Sequence, residues 1–384
     1  MKVAFLSIMA FDANISLIHS LKKKCDIYFI TEAQHEKYNH LDKTQLKKFI
    51  NIGTEVQQIE RFGDFIPLDK TYVIKGARQK NIFKKLYESY KIHKIVRNIN
   101  PDVVLLDNYW FTYLITAILY RKKTLLLVHD PFLHSGEEFF MDRILRKFYF
   151  TLVKNKILLN EIQKEDFISE YKEDPNKIYT SFLSVYDYLT CFNQNTERSN
   201  EFNILFFGRI SPYKGVKYLL DAFVDILQRH KDLNIKLTIA GSGDFDFDIN
   251  FYKNYPQIKI INKFISPQDL SSLINQSTVV ICPYTDATQS GVVMSAFAFK
   301  KPIIATRVGG LSEMIKNNAT GLIIEPKSTE AIVDAILDLY NNQEKLELFS
   351  ANIEKEYFTG DRSWDIAAKK FLEAFKKILN NNHG

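Results

Sequence analysis

The chain has 384 residues, 46% hydrophobic and 25% charged, with a formal net charge of +6. That length gives two domains room to bury a core each, and the composition excludes disordered, collagenous and disulfide-framed classes. Three widely spaced cysteines, Cys25, Cys191 and Cys282, form no CxxC pair, which argues against a metal cluster or disulfides and fits a reducing compartment.

In chain order, residues 3–9 read as a buried first strand rather than a signal peptide, because one lysine precedes them and no small-residue cleavage site follows. The loop expected at 10–14 lacks glycine. Further strands are expected at 26–31, 103–107, 124–128 and 156–159. The uncharged apolar run 109–120 is too short to span a bilayer and fits a core helix, so a soluble protein is expected. The charge is uneven: residues 1–200 hold 30 Lys and Arg against 24 Asp and Glu, whereas 201–384 hold 21 of each. The excess concentrates between Lys70 and Arg97, where Lys75, Arg78, Lys80, Lys84, Lys85, Lys91 and Lys94 interleave with Ile82, Phe83, Leu86, Tyr87, Tyr90 and Ile92. A basic amphipathic helix of this kind either turns a solvated face outward or lies on anionic lipid. No nucleic-acid-binding motif accompanies the charge. His129 closes the strand at 124–128 and is followed by Asp130-Pro131, so its imidazole faces a crevice where it can exchange a hydrogen bond with a hydroxyl or a leaving oxygen.

The polar stretch 193–201 has the makeup of a linker. Directly after it, the apolar run 202–207 breaks at Gly208, presents Arg209 and Lys214, and enters an amphipathic helix at 216–228. A strand, a short cationic loop and a helix N-terminus together trap anions, phosphates above all. Arg209 suits a two-pronged grip and Lys214 a mobile point charge. Strands follow at 234–240, 257–265, 278–283, 302–306 and 322–324, with helices between them and a Ser266 cap before Pro267. Apolar strands alternating with helices mean a parallel sheet covered on both faces, with ligand at the carboxyl ends of the strands. Arg209, Lys214, Gly241, Gln289 and Glu313 all fall at such ends. A final amphipathic helix opens at Ser363-Trp364-Asp365 and runs to about Leu379.

Together these residues resemble the retaining glycosyltransferase family 4. The resemblance is carried by Gly208-Arg209, Lys214-Gly215, Ala240-Gly241-Ser242-Gly243, Ser290-Gly291-Val292-Val293, Lys301-Pro302-Ile303-Ile304-Ala305-Thr306, Val308-Gly309-Gly310-Leu311-Ser312-Glu313 and Gly321-Leu322 with Glu325-Pro326. It is strong over 202–327 and loose before residue 150. It implies an α/β GT-B fold, two facing Rossmann-like domains with a cleft between them: 1–192 on the acceptor side, 193–360 for the nucleotide sugar, and 361–384 as a helix returning to the first domain.

The implied activity is sugar transfer from a UDP- or GDP-linked donor to an acceptor hydroxyl, with retention, in bacterial surface polysaccharide or glycolipid assembly. Arg209 and Lys214 would hold the diphosphate, with Gly208 and Gly241 beneath it. The amides of Ser290, Gly291 and Val292, after Thr288 and Gln289, would cradle the distal phosphate. His129 would contact the donor sugar, and Phe264 the base. No metal or other cofactor is expected, because two cations and a helix end take that place; the run Asp244 to Asp248 reads as a solvated loop. The acceptor would be a glycan or lipid-linked sugar, reached by peripheral contact with an anionic membrane at its cytoplasmic face. The family's paired glutamates, seven residues apart, are replaced by Thr288 and Ser295, which lowers hydrogen-bond strength by about 1 kcal/mol each. That replacement motivates an alternative, a non-catalytic sugar-nucleotide-binding subunit. A sugar-nucleotide epimerase would need cleft carboxylates, for which Asp130, Glu137 and Glu313 are the candidates.

Overall fold

The computed structural model describes residues 1–8, 11–33, 41–76, 81–129, 131–132, 140–192, 201–287 and 290–383. Arg78, Lys80, Asp130, Glu137, Thr288, Gln289 and the linker at 193–200 lie outside the described residues. The chain divides into two compact units, 1–183 with 364–384, and 184–363. The first division falls nine residues before the expected 192/193, because 184–192 is bound into the second unit: Tyr186 N–H donates to Met294 O at 3.1 Å, and Tyr188 and Leu189 are buried. The second falls at 363/364 rather than 360/361, where Ser184 Oγ donates to Arg362 O at 2.6 Å and holds both ends of the unit together.

In the first unit, β1 (Lys2–Ser7), α1 (Phe11–Leu21), β2 (Asp26–Ala33), β3 (Ile50–Ile52), β4 (Thr71–Lys75), α2 (Ile82–Ile99) and β5 (Val103–Asp107) come first. Then follow α3 (Leu114–Tyr120), β6 (Thr124–Val128), α4 (Phe140–Leu152), β7 (Asn155–Leu158), α5 (Lys164–Tyr171) and β8 (Ile178–Thr180). The strands pair in the order β3-β4-β2-β1-β5-β6-β7-β8, all parallel except β3 against β4. Fully buried Leu6, Ile30, Leu106 and Leu126 explain the apolar runs: helices cover the sheet on both faces. Strand order reverses between β1 and β5, the kind of switch point at which parallel α/β sheets bind ligands. The basic helix expected between Lys70 and Arg97 is present as α2 from Ile82, while Thr71–Lys75 is the strand β4. Two expectations change here. Residues 11–14 begin a helix rather than a loop. The segment 109–120 is helical only from Phe111 and leaves Leu119 61% exposed, so it is not a core helix.

The second unit runs β9 (Phe202–Phe207), α6 (Val216–Arg229), β10 (Ile235–Gly241), α7 (Asn250–Lys253), β11 (Ile258–Asn262), α8 (Pro267–Gln276), β12 (Val279–Cys282) and α9 (Gly291–Ala298). It continues through β13 (Ile303–Thr306), α10 (Leu311–Met314), β14 (Gly321–Ile324), α11 (Thr329–Asn341) and α12 (Gln343–Glu354). Its sheet is parallel throughout, ordered β11-β10-β9-β12-β13-β14, with the reversal between β9 and β12. Ser266 caps α8 through the Asp269 N–H at 3.1 Å. The closing helix α13 (Trp364–His383) returns to the first unit, where Ala367, Phe371, Ala374 and Phe375 are fully buried against α1 and strands β5 to β8.

Candidate functional site

The second unit's reversal point is built from glycine. Gly208 donates its N–H to Ala240 O at 3.0 Å, and a Cβ on Gly241 would stand 1.7 Å from Gly208 O, so β9 and β10 leave the sheet backbone against backbone. The pairing continues through Ile210 and Gly243, whose amide and carbonyl are clamped by the Asn262 side chain at 3.2 and 3.0 Å. The chain then turns through Pro212 to Lys214 and reaches Gly215 at φ 65°, where a Cβ would lie 1.9 Å from Pro283 O. Left-handed backbone and this contact both require glycine. Gly215→Ala is expected to cost about 2–4 kcal/mol and lower the melting temperature by about 5–10 °C, measured by calorimetric melting. An unchanged Tm would show that the turn is not locked against β12.

That lock sets Lys214 over the end of β12. Its Nζ lies 3.7 Å from the Tyr284 ring centroid and 5.0 Å from that of Tyr213. Burial pushes the ammonium pKa down to about 8, and Arg209 adds to the shift. Arg209 is exposed on the loop leaving β9. Tyr284 is fully buried: its OH pairs with Ser290 Oγ at 3.4 Å and its carbonyl accepts from Thr306 Oγ1 at 2.6 Å. The first turn of α9 completes the group, since Val292 Cγ2 is 3.5 Å from where a Gly208 Cβ would be. Gly291 and Val292 occupy the first helical positions, whose amides have no acceptor within the helix. The Ser290 N–H is turned instead toward Met314 Sδ at 3.4 Å, which takes it out of the expected phosphate cradle. Ser295 is buried in α9, and Phe264 is 46% exposed just beyond β11. Residues 244–249 form neither helix nor strand, and Asp248 accepts from the Asn250 N–H at 2.9 Å.

In the first unit, His129 leaves the carboxyl end of β6, and its Nε2 lies 2.6 Å from Asp107 Oδ1 at the end of β5. Asp107 is 2% exposed and also accepts from Ser7 Oγ at 2.6 Å and Asn14 Nδ2 at 2.8 Å. Burial alone would raise its carboxyl, but His129 and these two donors hold it below the ordinary carboxylate value. The carboxylate is therefore ionised and places a proton on Nε2 of His129. Sequence reasoning reached His129 but not Asp107, Ser7, Asn14 or Tyr284. One signal was present, a charged residue closing the otherwise apolar run Val103-Val104-Leu105-Leu106.

Comparison with known proteins now places this geometry. Residues 189–356 match the family described as glycosyl transferases group 1. An uncharacterized glycosyltransferase of Methanocaldococcus jannaschii is 32% identical over 185 residues, 47% of this chain and 46% of that protein, so the chain spans about half of that relative's length. Sucrose-phosphate synthase from Thermosynechococcus elongatus superposes with a TM-score of 0.69 at 14% identity, covering 99% of this chain and 100% of that one. The Anabaena protein HepE in complex with UDP superposes at 0.64 and 14% identity, covering all of both chains. Residues 189–356 are thus similar to the glycosyl transferases group 1 family, and the two α/β units have the fold of these solved structures.

Proposed function

We propose that the protein transfers a sugar from a nucleoside diphosphate sugar to an acceptor hydroxyl, with retention at the anomeric carbon and without a metal ion. The observation that carries this reading is the convergence of Lys214, Gly208 and the first turn of α9 at the reversal point of the second sheet, with Arg209 on the same loop. Such a corner favours a diphosphate through helix-end amides and two cations. As the glycosidic bond breaks, negative charge grows on the departing phosphate, and Arg209 and Lys214 stabilise it in place of a metal. His129, steadied by Asp107, contacts the donor sugar, and Phe264 lies beside the base. Ser295 and Thr288 supply hydroxyls where carboxylates are usual.

The acceptor is proposed to be lipid-linked and reached at an anionic membrane face, in surface polysaccharide or glycolipid assembly. Support comes from α2, whose later turns pack through Ile92, Val96 and Ile99 while its first turns expose Phe83 (77%) and Tyr87 (58%). Lys91 Nζ lies 4.6 Å from the Tyr87 centroid and Lys94 Nζ 5.0 Å from that of Tyr90, so cations and aromatic rings share one surface. Among the described residues no helix is long and apolar enough to cross a membrane. Vesicles of phosphatidylglycerol are expected to sediment the protein and neutral phosphatidylcholine vesicles to leave it in solution, with binding lost near 1 M salt. Equal partition onto both would remove the membrane from the proposal.

The transfer itself is tested by incubating the protein with UDP-, GDP-, ADP- and dTDP-sugars and a panel of acceptors. Product with the donor's anomeric configuration, formed in the presence of a chelator, is expected. Tight nucleotide binding with neither transfer nor hydrolysis across the panel would favour a binding subunit instead.

A further inference from the structure

Lys214 is half-buried, yet no described carboxylate pairs with it; the groups facing its ammonium are aromatic rings. Buried lysines normally have a carboxylate partner or lose their charge. Here the groups around it are Arg209 beyond β9, Tyr213 in its own turn, and Cys282 and Tyr284 at the end of β12. Cys282 is no counter-ion, since burial pushes its thiol up to about 11 and keeps it protonated. The face of the Tyr284 ring is fixed from several sides: Ser290 holds its hydroxyl, Thr306 holds its carbonyl, and the ring is wholly buried.

Resting on the diphosphate-binding reading above, we infer that Tyr284 is the positioning residue for Lys214, its π face holding the ammonium where a carboxylate would otherwise stand. A lysine paired with a carboxylate must break an ion pair before it can serve a phosphate. A lysine resting on a ring gives up only a cation–π contact and meets the phosphate with its full charge. The arrangement has a second consequence. With the ammonium pKa at about 8, part of the Lys214 population is neutral in mildly alkaline solution, and an arriving diphosphate restores the proton. Nucleotide binding is thereby coupled to proton uptake.

The experiment uses the full chain with UDP, GDP, ADP and dTDP as probes. At pH 8.5, calorimetry in buffers of different ionisation enthalpy is expected to show uptake of about three-quarters of a proton per bound nucleotide, from a group titrating at about 8. NMR titration of the Lys214 ε-carbon, assigned by its loss in Lys214→Arg, should give a midpoint near 8 in wild type and in Tyr284→Phe, which keeps the ring. In Tyr284→Leu the midpoint should move down by about a unit and nucleotide affinity fall about tenfold, whereas a merely structural ring would leave the midpoint in place. Equal midpoints in the Phe and Leu variants, or nucleotide binding without proton uptake, would overturn this inference alone. Where the Leu variant does not fold, Tyr284→Met, which also removes the ring, takes its place in the comparison with Tyr284→Phe. Failure of every probe to bind at any pH would overturn the proposed function and the handover together.

Discussion

Alanine in place of Lys214, or of Arg209, is expected to lower kcat/KM by a factor of about a hundred to a thousand, on the order of 3 kcal/mol of lost stabilisation of the departing diphosphate. Melting should separate this loss from damage to the fold. The folded pKa of Lys214, about 8, lies below its ordinary value of 10.5, so folding disfavours the charged form. The charge is thus a burden on stability below pH 8, relieved as pH rises from about 8 through 10.5. Lys214→Ala should melt no lower than wild type near neutral pH while losing its activity. The wild-type kcat/KM should also fall above about pH 8, as the free protein loses the Lys214 proton. Near-normal rates in both variants would end the assignment of these cations to the diphosphate. A marked drop in Tm for Lys214→Ala would mean that the ammonium stabilises the fold instead.

A second large effect is expected at a residue that touches no substrate. Asp107→Asn presents a carboxamide where Ser7, Asn14 and His129 all donate, so its amino group meets donors and at least one buried hydrogen bond is lost. The expected cost is about 2–4 kcal/mol of stability, with about a hundredfold lower turnover because the imidazole loses its fixed proton and orientation. The pH dependence has a definite sign. A carboxylate whose folded value lies below the ordinary 3.8 stabilises fully above that range and loses its contribution as pH falls through the folded value. Wild type should therefore lose stability across this acid interval and Asp107→Asn should not. Matching acid profiles, or full turnover in the variant, would make the Asp107–His129 contact incidental. His129→Ala combined with Asp107→Asn should be little worse in activity than His129→Ala alone, since one residue acts through the other.

The second unit was largely legible from sequence because its strands are buried on both faces. An apolar run that stops at glycine has few other readings, and β9 was expected at 202–207 and observed there. The strand expected at 257–265 stops at Asn262, because that side chain turns to clamp Gly243 and leaves the ladder. The first unit was less readable. β4 lies within a charged stretch and earns its place by pairing with β2, some forty residues away, which no local pattern reports. Similarly, residues 10–14 read in sequence as a loop, whereas α1 begins at Phe11 and turns Asn14 inward to meet Asp107.

The candidate site was legible in its charges and not in their surroundings. Arg209 and Lys214 announce themselves by following a strand that ends in glycine. Asp107 and His129 meet only because β5 and β6 lie in parallel register, with Asp107 opposite Leu127. Tyr284 reads in sequence as one more aromatic residue after a strand. Its importance comes from Gly215, whose missing side chain lets the lysine turn settle against Pro283.

The return of α13 to the first unit has a consequence for how the protein is made. Residues 184–363 form one unbroken stretch, so they can complete their interior as soon as they leave the ribosome. The opening 183 residues cannot, because Phe371 and Phe375, which are buried within the same unit, are translated only after that stretch. Vectorial synthesis thus reverses the order of assembly: the inserted lobe matures before the lobe that was begun first.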